Sequence, residues 1–587
     1  MSGRFLRCVA PLAALAGLVA GCGADYALVE QPPDLVSTDS PRCGGPGGLA
    51  CGTHGRCEDA KDGMRCACDL GYEGAGCAAC SKDYQDNDGD GTCLPACTVK
   101  CGAHERCSDA SAAATCNCAP GYVKQAGGCV FRGGPLDPTF ENKPKAWSVT
   151  KGVLDPGAKT GPNGALVDPG LVRFETKDVC DGTARLTQSF EMPTVAEAEP
   201  LAVRWVGSGT FVQALASSRG VPLMDMGLGF VGTRDAKRCV GERWLGRTID
   251  LSIDFLGQLC PSTDSTSVLD HVELLPDPTC PAVGELPNGN FDGTGGWVAE
   301  PFSGVAEVAN GVGTGQTRGG RLASTKFCQS PQIRNLASPR ETSAQKLALK
   351  FTYKGGTNQR MEVTTSRGPL GFARGTNVFE TGIFCVPDAI KGEVIDLYMR
   401  LAYRSPVAPS NCDSADVREF VFDDLALAPD GKCADSVRLA DGGFEDTSNA
   451  QAWIPSEVSG QSYVGRGSGH SGKSGAVLSV YQTCATAQIS TMIAVPPPTA
   501  TAGPAVKFWI KGTLSATGSF GTTYGSNVPV PTAWEQRTHC VPPRDANRAR
   551  TFYFTLYGGS GACGQAGTSS VTVDDVEVTT DPSCPTK

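Results

Sequence analysis

The chain has 587 residues, too many for one hydrophobic core, so several domains are expected. Its 74 glycines, 40 prolines and 7% aromatic content favour turn-rich β-domains over helical bundles. The formal net charge of −10 includes no long run of one sign and no concentrated basic segment, so nucleic-acid binding is not expected.

The N-terminus has the pattern of an export signal. Arg4 and Arg7 border a short apolar run, Val9 to Ala20, which is too short for a permanent transmembrane helix. The run ends in Leu18-Val-Ala-Gly-Cys22, which resembles the lipobox of bacterial lipoproteins. That resemblance implies that residues 1–21 are a signal peptide and that Cys22 receives lipid on its thiol and amine. The alternative is an ordinary secretory signal with a chance cysteine.

The residues after Cys22 bear on localisation. Gly23, rather than Asp, follows the cysteine, which by analogy with enterobacterial sorting favours the outer membrane. Residues 22–42 are polar and contain Gln31-Pro-Pro33, so they are predicted to form a tether. No later stretch is long and apolar enough to span a bilayer. We therefore expect a protein of the cell envelope, at the outer membrane or cell surface, held to the membrane by lipid alone.

The 28 cysteines fall in regular sets, which predicts disulfides and an oxidising compartment. The first two sets have six cysteines each, with a Gly-Tyr pair before the last, and their texts repeat: Cys51-Gly-Thr-His-Gly-Arg-Cys57 against Cys101-Gly-Ala-His-Glu-Arg-Cys107. They resemble EGF-like modules, predicted at residues 43–93 and 94–132. His54 and His104 occupy matching positions and are predicted to be loop residues of the scaffold.

Spacing alone leaves 15 pairings open for six cysteines. The resemblance to EGF-like modules, with a laminin-type fourth loop after Cys77-Ala-Ala-Cys80, implies particular pairs. They are Cys43–Cys57, Cys51–Cys66, Cys68–Cys77, Cys80–Cys93, Cys97–Cys107, Cys101–Cys116 and Cys118–Cys129.

The loop between Cys80 and Cys93 is rich in acids. Asp86, Asp88 and Asp90 alternate and are followed by Gly91. Alternate carboxylates can surround one calcium ion, and the glycine permits a sharp turn. The twelfth position of an EF-hand loop, a Glu, is occupied by a cysteine here. A calcium site and an Asp/Gly turn without an ion therefore remain open alternatives.

The rest of the chain is a threefold repeat, predicted at residues 135–281, 284–434 and 436–587. Each copy opens with a Phe and an acid and reaches a Trp, and closes on an alternating strand and a cysteine, as in Val571-Thr-Val-Asp-Asp-Val. The opening residues are Phe140, Glu141 and Trp147; Phe291, Asp292 and Trp297; and Phe444, Glu445 and Trp453. Roughly seven or eight short strands per copy predict a two-sheet sandwich. The copies resemble galactose-binding-domain-like jelly rolls, which include carbohydrate-binding modules.

Each copy carries four cysteines, and we expect the first to pair with the second and the third with the fourth. The sets are Cys180, Cys239, Cys260 and Cys280; Cys328, Cys385, Cys412 and Cys433; and Cys484, Cys540, Cys563 and Cys584. The predicted fold class is thus mainly β and multi-domain, with disulfide-rich EGF-like modules followed by three jelly rolls.

The jelly-roll resemblance also implies a structural calcium between opening and closing acids. The matching residues are Glu141 with Asp270, Asp292 with Asp423 or Asp424, and Glu445 with Asp574 or Asp575. An inward carboxylate needs a cation or several donors. The alternative is that one acid faces solvent and the other caps a turn.

A sugar site needs an exposed aromatic platform with polar groups around it. The repeated Trp147, Trp297 and Trp453 are predicted to be core, as are Trp205, Tyr353 and Trp509. Trp244 and Trp534 lie beside loops and are the predicted ligand-binding residues.

No catalytic motif stands in a fitting context, so an enzyme is not expected. The sequence favours a lipid-anchored surface protein in which an EGF-like stalk lifts three jelly rolls that bind an extracellular glycan or a surface protein. A structural or protein-interaction spacer without sugar binding is the alternative.

Overall fold

The computed structural model describes residues 51–586 except 61–62, 83, 87–90, 96–99, 109–114, 137, 141–145, 151–152, 156–170, 176–183, 209–211, 219–220, 226–232, 258–265, 301–303, 342–345, 358, 404–411, 458–460, 514–515, 523–527 and 559–562. The predicted signal peptide, Cys22 and the tether lie outside these residues. Within the described ranges, no helix combines the length and the apolar character needed to cross a bilayer.

Residues 51–93 and 94–132 form two small cysteine-rich modules built on hairpins. In their main hairpins Cys57 lies opposite Cys66, and Cys107 lies opposite Cys116. The strands of the first cysteine-rich module are β1 Gly55–Ala60, β2 Gly63–Cys68, β3 Tyr72–Glu73, β4 Ala79–Cys80 and β5 Tyr84–Gln85. Those of the second are β6 Leu94–Pro95, β7 Glu105–Ser108, β8 Thr115–Cys118, β9 Tyr122–Gln125 and β10 Gly128–Phe131.

The disulfides of these modules match the pairs implied by the resemblance wherever both cysteines are described. The bonds are Cys51–Cys66, Cys68–Cys77, Cys80–Cys93, Cys101–Cys116 and Cys118–Cys129. Cys43 and Cys97, the predicted partners of Cys57 and Cys107, lie outside the described residues.

The two repeated histidines are part of this scaffold. The ring of His54 stacks on Tyr72 at 4.0 Å, and the ring of His104 stacks on Tyr122 at 4.5 Å. Each histidine therefore packs against the tyrosine of the Gly-Tyr pair in its own module.

Three β-sandwiches follow. Their strands are β11 Ser148–Thr150, β12 Val153–Asp155, β13 Leu171–Glu175, β14 Ala184–Glu191, β15 Leu201–Ser208, β16 Val212–Ser218, β17 Val221–Asp225, β18 Thr233–Cys239, β19 Thr248–Gly257 and β20 Thr266–Pro276 in the first; β21 Val298–Glu300, β22 Val305–Ala309, β23 Gly319–Lys326, β24 Gln332–Ala337, β25 Leu347–Gly355, β26 Arg360–Thr365, β27 Gly368–Arg374, β28 Glu380–Cys385, β29 Ile395–Leu401 and β30 Ala415–Pro429 in the second; and β31 Ala450–Gln451, β32 Ile454–Glu457, β33 Ser462–Gly467, β34 Gly475–Gln482, β35 Thr486–Ala494, β36 Gly503–Gly512, β37 Thr517–Gly521, β38 Val528–Pro529, β39 Glu535–Cys540, β40 Ala549–Tyr557 and β41 Ala566–Asp581 in the third. Short 3₁₀ turns cover Glu242–Trp244, Thr314–Gln316, Asp388–Ile390 and Pro543–Asp545.

Each sandwich repeats one antiparallel topology. The two sheets of the first are β11-β14-β19-β16-β17 and β12-β13-β20-β15-β18, and the second and third repeat this order with equivalent strands. The described strands exceed the predicted seven or eight per copy because each sheet adds short edge strands. The fold class is confirmed: mainly β, with three jelly-roll sandwiches after disulfide-rich modules.

The opening and closing segments of each jelly roll meet in space. Gly289 accepts the backbone N–H of Leu425 at 2.9 Å, and Gly442 accepts that of Val576 at 2.8 Å. A Cβ at Gly442 would lie 2.0 Å from the carbonyl oxygen of Val576, so only glycine fits. The recurring Phe-Trp pair packs beneath this junction, with Phe444 and Trp453 5.0 Å apart.

The disulfides of the jelly rolls correct the expected pairing. The second copy contains Cys328–Cys412 and Cys385–Cys433, and the third contains Cys484–Cys563 and Cys540–Cys584. The first copy contains Cys239–Cys280, while Cys180 and Cys260 lie outside the described residues. The first cysteine pairs with the third because β23 runs antiparallel to β30, which places Lys326 opposite Ala415 beside this bond.

The stalk interpretation is wrong, because both cysteine-rich modules pack against the first jelly roll. Tyr122 and Phe131 of the second module belong to the same buried cluster as Trp147 and Trp205. Arg106 also donates two hydrogen bonds, of 2.8 and 2.9 Å, to the carboxylate of Glu197.

The jelly rolls contact one another in the same close way. Arg243 of the first donates a 2.8 Å hydrogen bond to Glu393 of the second, and both side chains are buried. Strand β31, ahead of the third sandwich, pairs with β27 and extends a sheet of the second. The described modules therefore form a continuous packed body.

An aromatic corner on the third jelly roll

Strand β36 carries an aromatic side chain on the outside of the third jelly roll. Phe508 and Ile510 are buried in the sandwich, while Trp509 between them points to the other face and is half-buried. Trp509 lies opposite Asp574 on β41 and Gln536 on β39. The expectation that Trp509 belongs to the core is wrong, because side chains alternate along a strand and Trp509 lies between two residues that point inward.

The loop between β33 and β34 places a histidine on this tryptophan. The ring of His470 stacks on Trp509 with centroids 3.8 Å apart and planes 10° apart. The carboxylate of Asp574 fixes the loop by accepting the backbone N–H groups of His470 at 2.7 Å and Ser471 at 3.1 Å.

Trp534 completes the group from the residue before β39. Its ring lies 5.4 Å from that of His470 and is inclined by 71°, so the two rings meet as a floor and a wall. The ammonium of Lys511 lies 4.6 Å from the centroid of the Trp534 ring, a cation–π contact. We call Trp509, His470 and Trp534 the aromatic corner.

Polar groups border the aromatic corner. Nδ1 of His470 lies 2.8 Å from Oδ2 of Asp575, and the Ser471 hydroxyl donates to the other oxygen of that carboxylate. Serine and histidine thus bind the same carboxylate. This is not the serine-to-histidine-to-aspartate chain that activates a nucleophile.

The second jelly roll has a different group at the same register. Thr352 lies opposite Asp423 as Trp509 lies opposite Asp574, and Thr314 donates its N–H to Asp423 as His470 does to Asp574. The hydroxyls of the two threonines are 2.8 Å apart where the third copy stacks its rings.

The matching wall and its lysine are nevertheless kept in the second copy. The ammonium of Lys354 lies 6.0 Å from the ring of Phe379, which precedes β28 as Trp534 precedes β39. In the first copy the register places Val206 where Trp509 lies. Among the described residues, the stacked floor of the corner is therefore particular to the third jelly roll.

The predicted ligand-binding tryptophans have different outcomes. Trp534 lies at the surface within the aromatic corner. Trp244 is only 1% exposed, since its 3₁₀ turn folds into the core of the first jelly roll, so it cannot serve as an open platform. Trp147 and Trp453 are buried as predicted, and Trp297 packs on the second core with its indole N–H donating to Asn288.

The predicted calcium residues of the third copy hold one loop. Asp574 accepts three backbone N–H groups, those of His470, Ser471 and Asp575, and is fully buried. Burial raises the pKa of Asp574. Glu445 accepts the N–H groups of Ser474 at 3.0 Å and Lys473 at 2.7 Å, which lower its pKa.

The second copy repeats part of this arrangement. Asp423 accepts the N–H of Thr314 at 3.0 Å and the hydroxyl of Thr317 at 2.9 Å, and burial raises its pKa. Asp292 is exposed and accepts the side-chain amide of Asn290 instead. In the contacts described, Asp292 and Asp423 thus bind different partners.

The other predicted calcium ligands are only partly described. Asp270 of the first copy is buried, whereas its expected partner Glu141 lies outside the described residues. Asp86 accepts the backbone N–H of Gly91 at 3.1 Å and closes a turn, while Asp88 and Asp90 lie outside the described residues. At all these positions a calcium ion and an acid that only holds a turn or loop remain the two alternatives.

Sequence reasoning missed His470, Lys511 and the outward direction of Trp509. The signal for Trp509 was present, because Phe508 and Ile510 match core positions of the other copies and leave the residue between them outside. Nothing local marks His470, whose place follows from the hydrogen bonds of a distant strand.

No family model matches the chain, and no curated protein matches it. Among solved structures, it is similar to TmCBM61 in complex with β-1,4-galactotriose, with a TM-score of 0.19, 15% identity, and coverage of 24% of this chain and 98% of that one. It is similar to the CBM22-1–CBM22-2 tandem of Paenibacillus barcinonensis Xyn10C, with a TM-score of 0.19, 13% identity, and coverage of 50% and 96%. It is also similar to the family 11 carbohydrate-binding module of Lic26A-Cel5E from Clostridium thermocellum, with a TM-score of 0.18, 14% identity, and coverage of 26% and 97%.

Proposed function

We propose that the chain is a lipid-anchored protein of the cell envelope that binds a glycan at the aromatic corner of its third jelly roll and acts in adhesion or polysaccharide capture. The observation that carries the proposal is the meeting of Trp509, His470 and Trp534 at the surface, beside a lysine and a carboxylate.

The chemistry of the corner suits a sugar. Pyranose rings present patches of C–H groups that pack on aromatic faces, and their hydroxyls need donors and acceptors at the rim. Trp534 supplies an aromatic wall, and Lys511, Ser471 and Asp575 supply the polar rim. A binding role, rather than catalysis, fits a carboxylate that already holds both His470 and Ser471.

A spacer without sugar binding is the second candidate. It is favoured by the close packing of the modules, in which Arg243 and Glu393 form a buried ion pair between the first two jelly rolls. Rigid contacts of this kind suit a spacer, and the second copy has a threonine pair in place of the stacked rings.

A glycan array probed with the full-length protein separates the two functions. We expect binding of the wild type to at least one glycan class. The variant His470→Thr/Trp509→Thr copies the threonine pair that the second jelly roll accommodates, so it should fold, and Trp534→Ala removes the wall. Because each stacked aromatic contact contributes about 0.5–1.5 kcal/mol, we expect each variant to weaken binding roughly 2- to 13-fold.

The matched control is Tyr481→Ala, an exposed tyrosine of the same jelly roll outside the aromatic corner. It should bind as the wild type does. Absence of any glycan binding by the folded wild type, with and without calcium, would favour the spacer. If Tyr481→Ala weakened glycan binding as much as the aromatic-corner variants do, the aromatic corner would not be the binding site.

A further inference from the structure

A second polar site lies where the first cysteine-rich module meets the first jelly roll. A cavity of about 240 Å³ is lined there by Arg56, Glu58 and Arg65 of the module and by Arg247 and Thr248 of the jelly roll. One water needs only about 10–15 Å³, so this cavity holds considerably more than a single water.

Two of its guanidinium groups are incompletely paired. Nη1 of Arg56 and Nη1 of Arg247 are both buried from solvent, and neither has a hydrogen-bond partner among the described residues. A charged donor that is buried without an acceptor loses its hydrogen bonds to water and gains none in return, which destabilises the folded protein. Such a nitrogen therefore indicates a missing acceptor.

The carboxylates nearby are committed to other nitrogens of the same arginines. Nη2 of Arg247 donates to Asp69 at 3.2 Å and to Glu341 at 3.1 Å. Nε of Arg56 donates to Glu58 at 3.4 Å. The two Nη1 groups are therefore left for an acceptor that the described residues do not provide.

The charged form of Arg56 is destabilised in this place, mainly by burial. Burial, followed by the charge of Arg247, lowers the pKa of Arg56 to about 10, although Glu341 and Glu58 oppose the shift. Arg65 adds a third guanidinium with 58% of its side chain exposed, which places it at the solvent-facing rim of the cavity.

We propose that this cavity binds a small oxyanion, such as a sulfate, phosphate or carboxylate group, held by Arg56 and Arg247 from the two modules. Planar guanidinium forks bind such groups through charge-assisted hydrogen bonds. The anion supplies the acceptor that neither Nη1 group finds among the described residues, and it fastens the cysteine-rich module to the jelly roll. The site is separate from the aromatic corner and does not depend on glycan binding there.

Thermal unfolding of the full-length chain tests this site. Sodium sulfate, sodium phosphate and sodium glucuronate are titrated separately, with sodium chloride keeping the ionic strength constant. At a hundredfold excess over Kd we expect a saturable rise in Tm of about 5–10 °C. A response to sulfate or phosphate alone identifies an inorganic ion, whereas a response to glucuronate identifies the acid group of a sugar.

Variants assign the effect to the cavity. Arg56→Met removes a buried charge but keeps most of the side-chain volume, a change that folded proteins often tolerate. It should abolish the rise, and Arg65→Ala at the exposed rim should weaken it. The control Arg321→Met, at a surface ion pair of the second jelly roll, should keep the full response. The proposal is overturned if no oxyanion raises Tm beyond chloride, or if Arg56→Met responds as the wild type does.

Discussion

Removal of Glu393 tests whether the first two jelly rolls act as one body. Its carboxylate accepts 2.8 Å hydrogen bonds from Arg243 across the interface and from Arg367 within its own module. Arg243 also donates to the carbonyl oxygens of Asp388 at 3.2 Å and Ala389 at 3.0 Å. The substitution Glu393→Ala leaves the Arg243 guanidinium buried beside a void.

The expected loss follows from burial. The side chains of Arg243 and Glu393 are only 7% and 6% exposed, so water cannot replace the missing carboxylate. Breaking a buried pair from one side costs about 3–5 kcal/mol. For a unit of this size that corresponds to a fall in Tm of about 6–20 °C.

The assay is differential scanning calorimetry of the full chain, in which the transition that contains the first two jelly rolls is followed. The control is Glu307→Ala, whose partner Arg321 is 33% exposed, and the expected loss there is about 0–1 kcal/mol. The double variant Arg243→Met/Glu393→Leu removes both charges and should unfold close to the wild type. If the Glu393→Ala and Glu307→Ala variants unfold at the same temperature, the buried ion pair adds no stability at the interface and the reasoning fails.

Two further predictions concern the third jelly roll. Burial lowers the pKa of His539 below its ordinary value of 6.5. Below about pH 6.5 the unfolded chain therefore binds more protons than the folded chain, and the free energy of unfolding should fall as the pH drops. Denaturant titrations from pH 7.5 to 5 should show this slope, and His539→Leu should flatten it; an unchanged slope would contradict the assignment. For Asp574, three N–H donors occupy most of its acceptor sites, so we expect EDTA to leave Tm unchanged while Asp574→Ala lowers the free energy of unfolding by about 1–3 kcal/mol. A fall of several degrees with EDTA would instead favour a calcium ion.

The sequence predicts features that depend on local pattern. The threefold repeat, the sandwich class and the buried Trp147 and Trp453 follow from alternation and from repeated text. The jelly-roll disulfides do not follow, because the neighbours of a strand in a sheet are not its neighbours in the chain. Cys385 pairs with Cys433 because the chain leaving β28 and the chain leaving β30 both bond to the start of β25, which sequence order does not reveal.

Burial by another module is equally hidden from a single stretch of sequence. Trp244 directly follows the charged residues Glu242 and Arg243, a context in which an exposed side chain is expected, yet it is only 1% exposed. The adjoining Gly241 shows how close the cover is, since a Cβ there would lie 2.2 Å from the carbonyl oxygen of Gly392 in the second jelly roll. The core of the first jelly roll buries this tryptophan, and the second jelly roll covers the start of its turn.

Comparison of the copies shows where a repeated sandwich can acquire a new role. Inward positions stay apolar in all three, as in Trp205, Phe351 and Phe508, because a change there opens a cavity or overpacks the core. The neighbouring outward position can hold side chains of different size and polarity. It is Val206 in the first copy, Thr352 in the second and Trp509 in the third. The acid that fixes the adjoining loop is kept in the second and third copies, so a ring placed on that loop is already positioned over the strand. The stacked rings of the aromatic corner therefore arise in the third copy through two side chains, with no change in the fold that holds them.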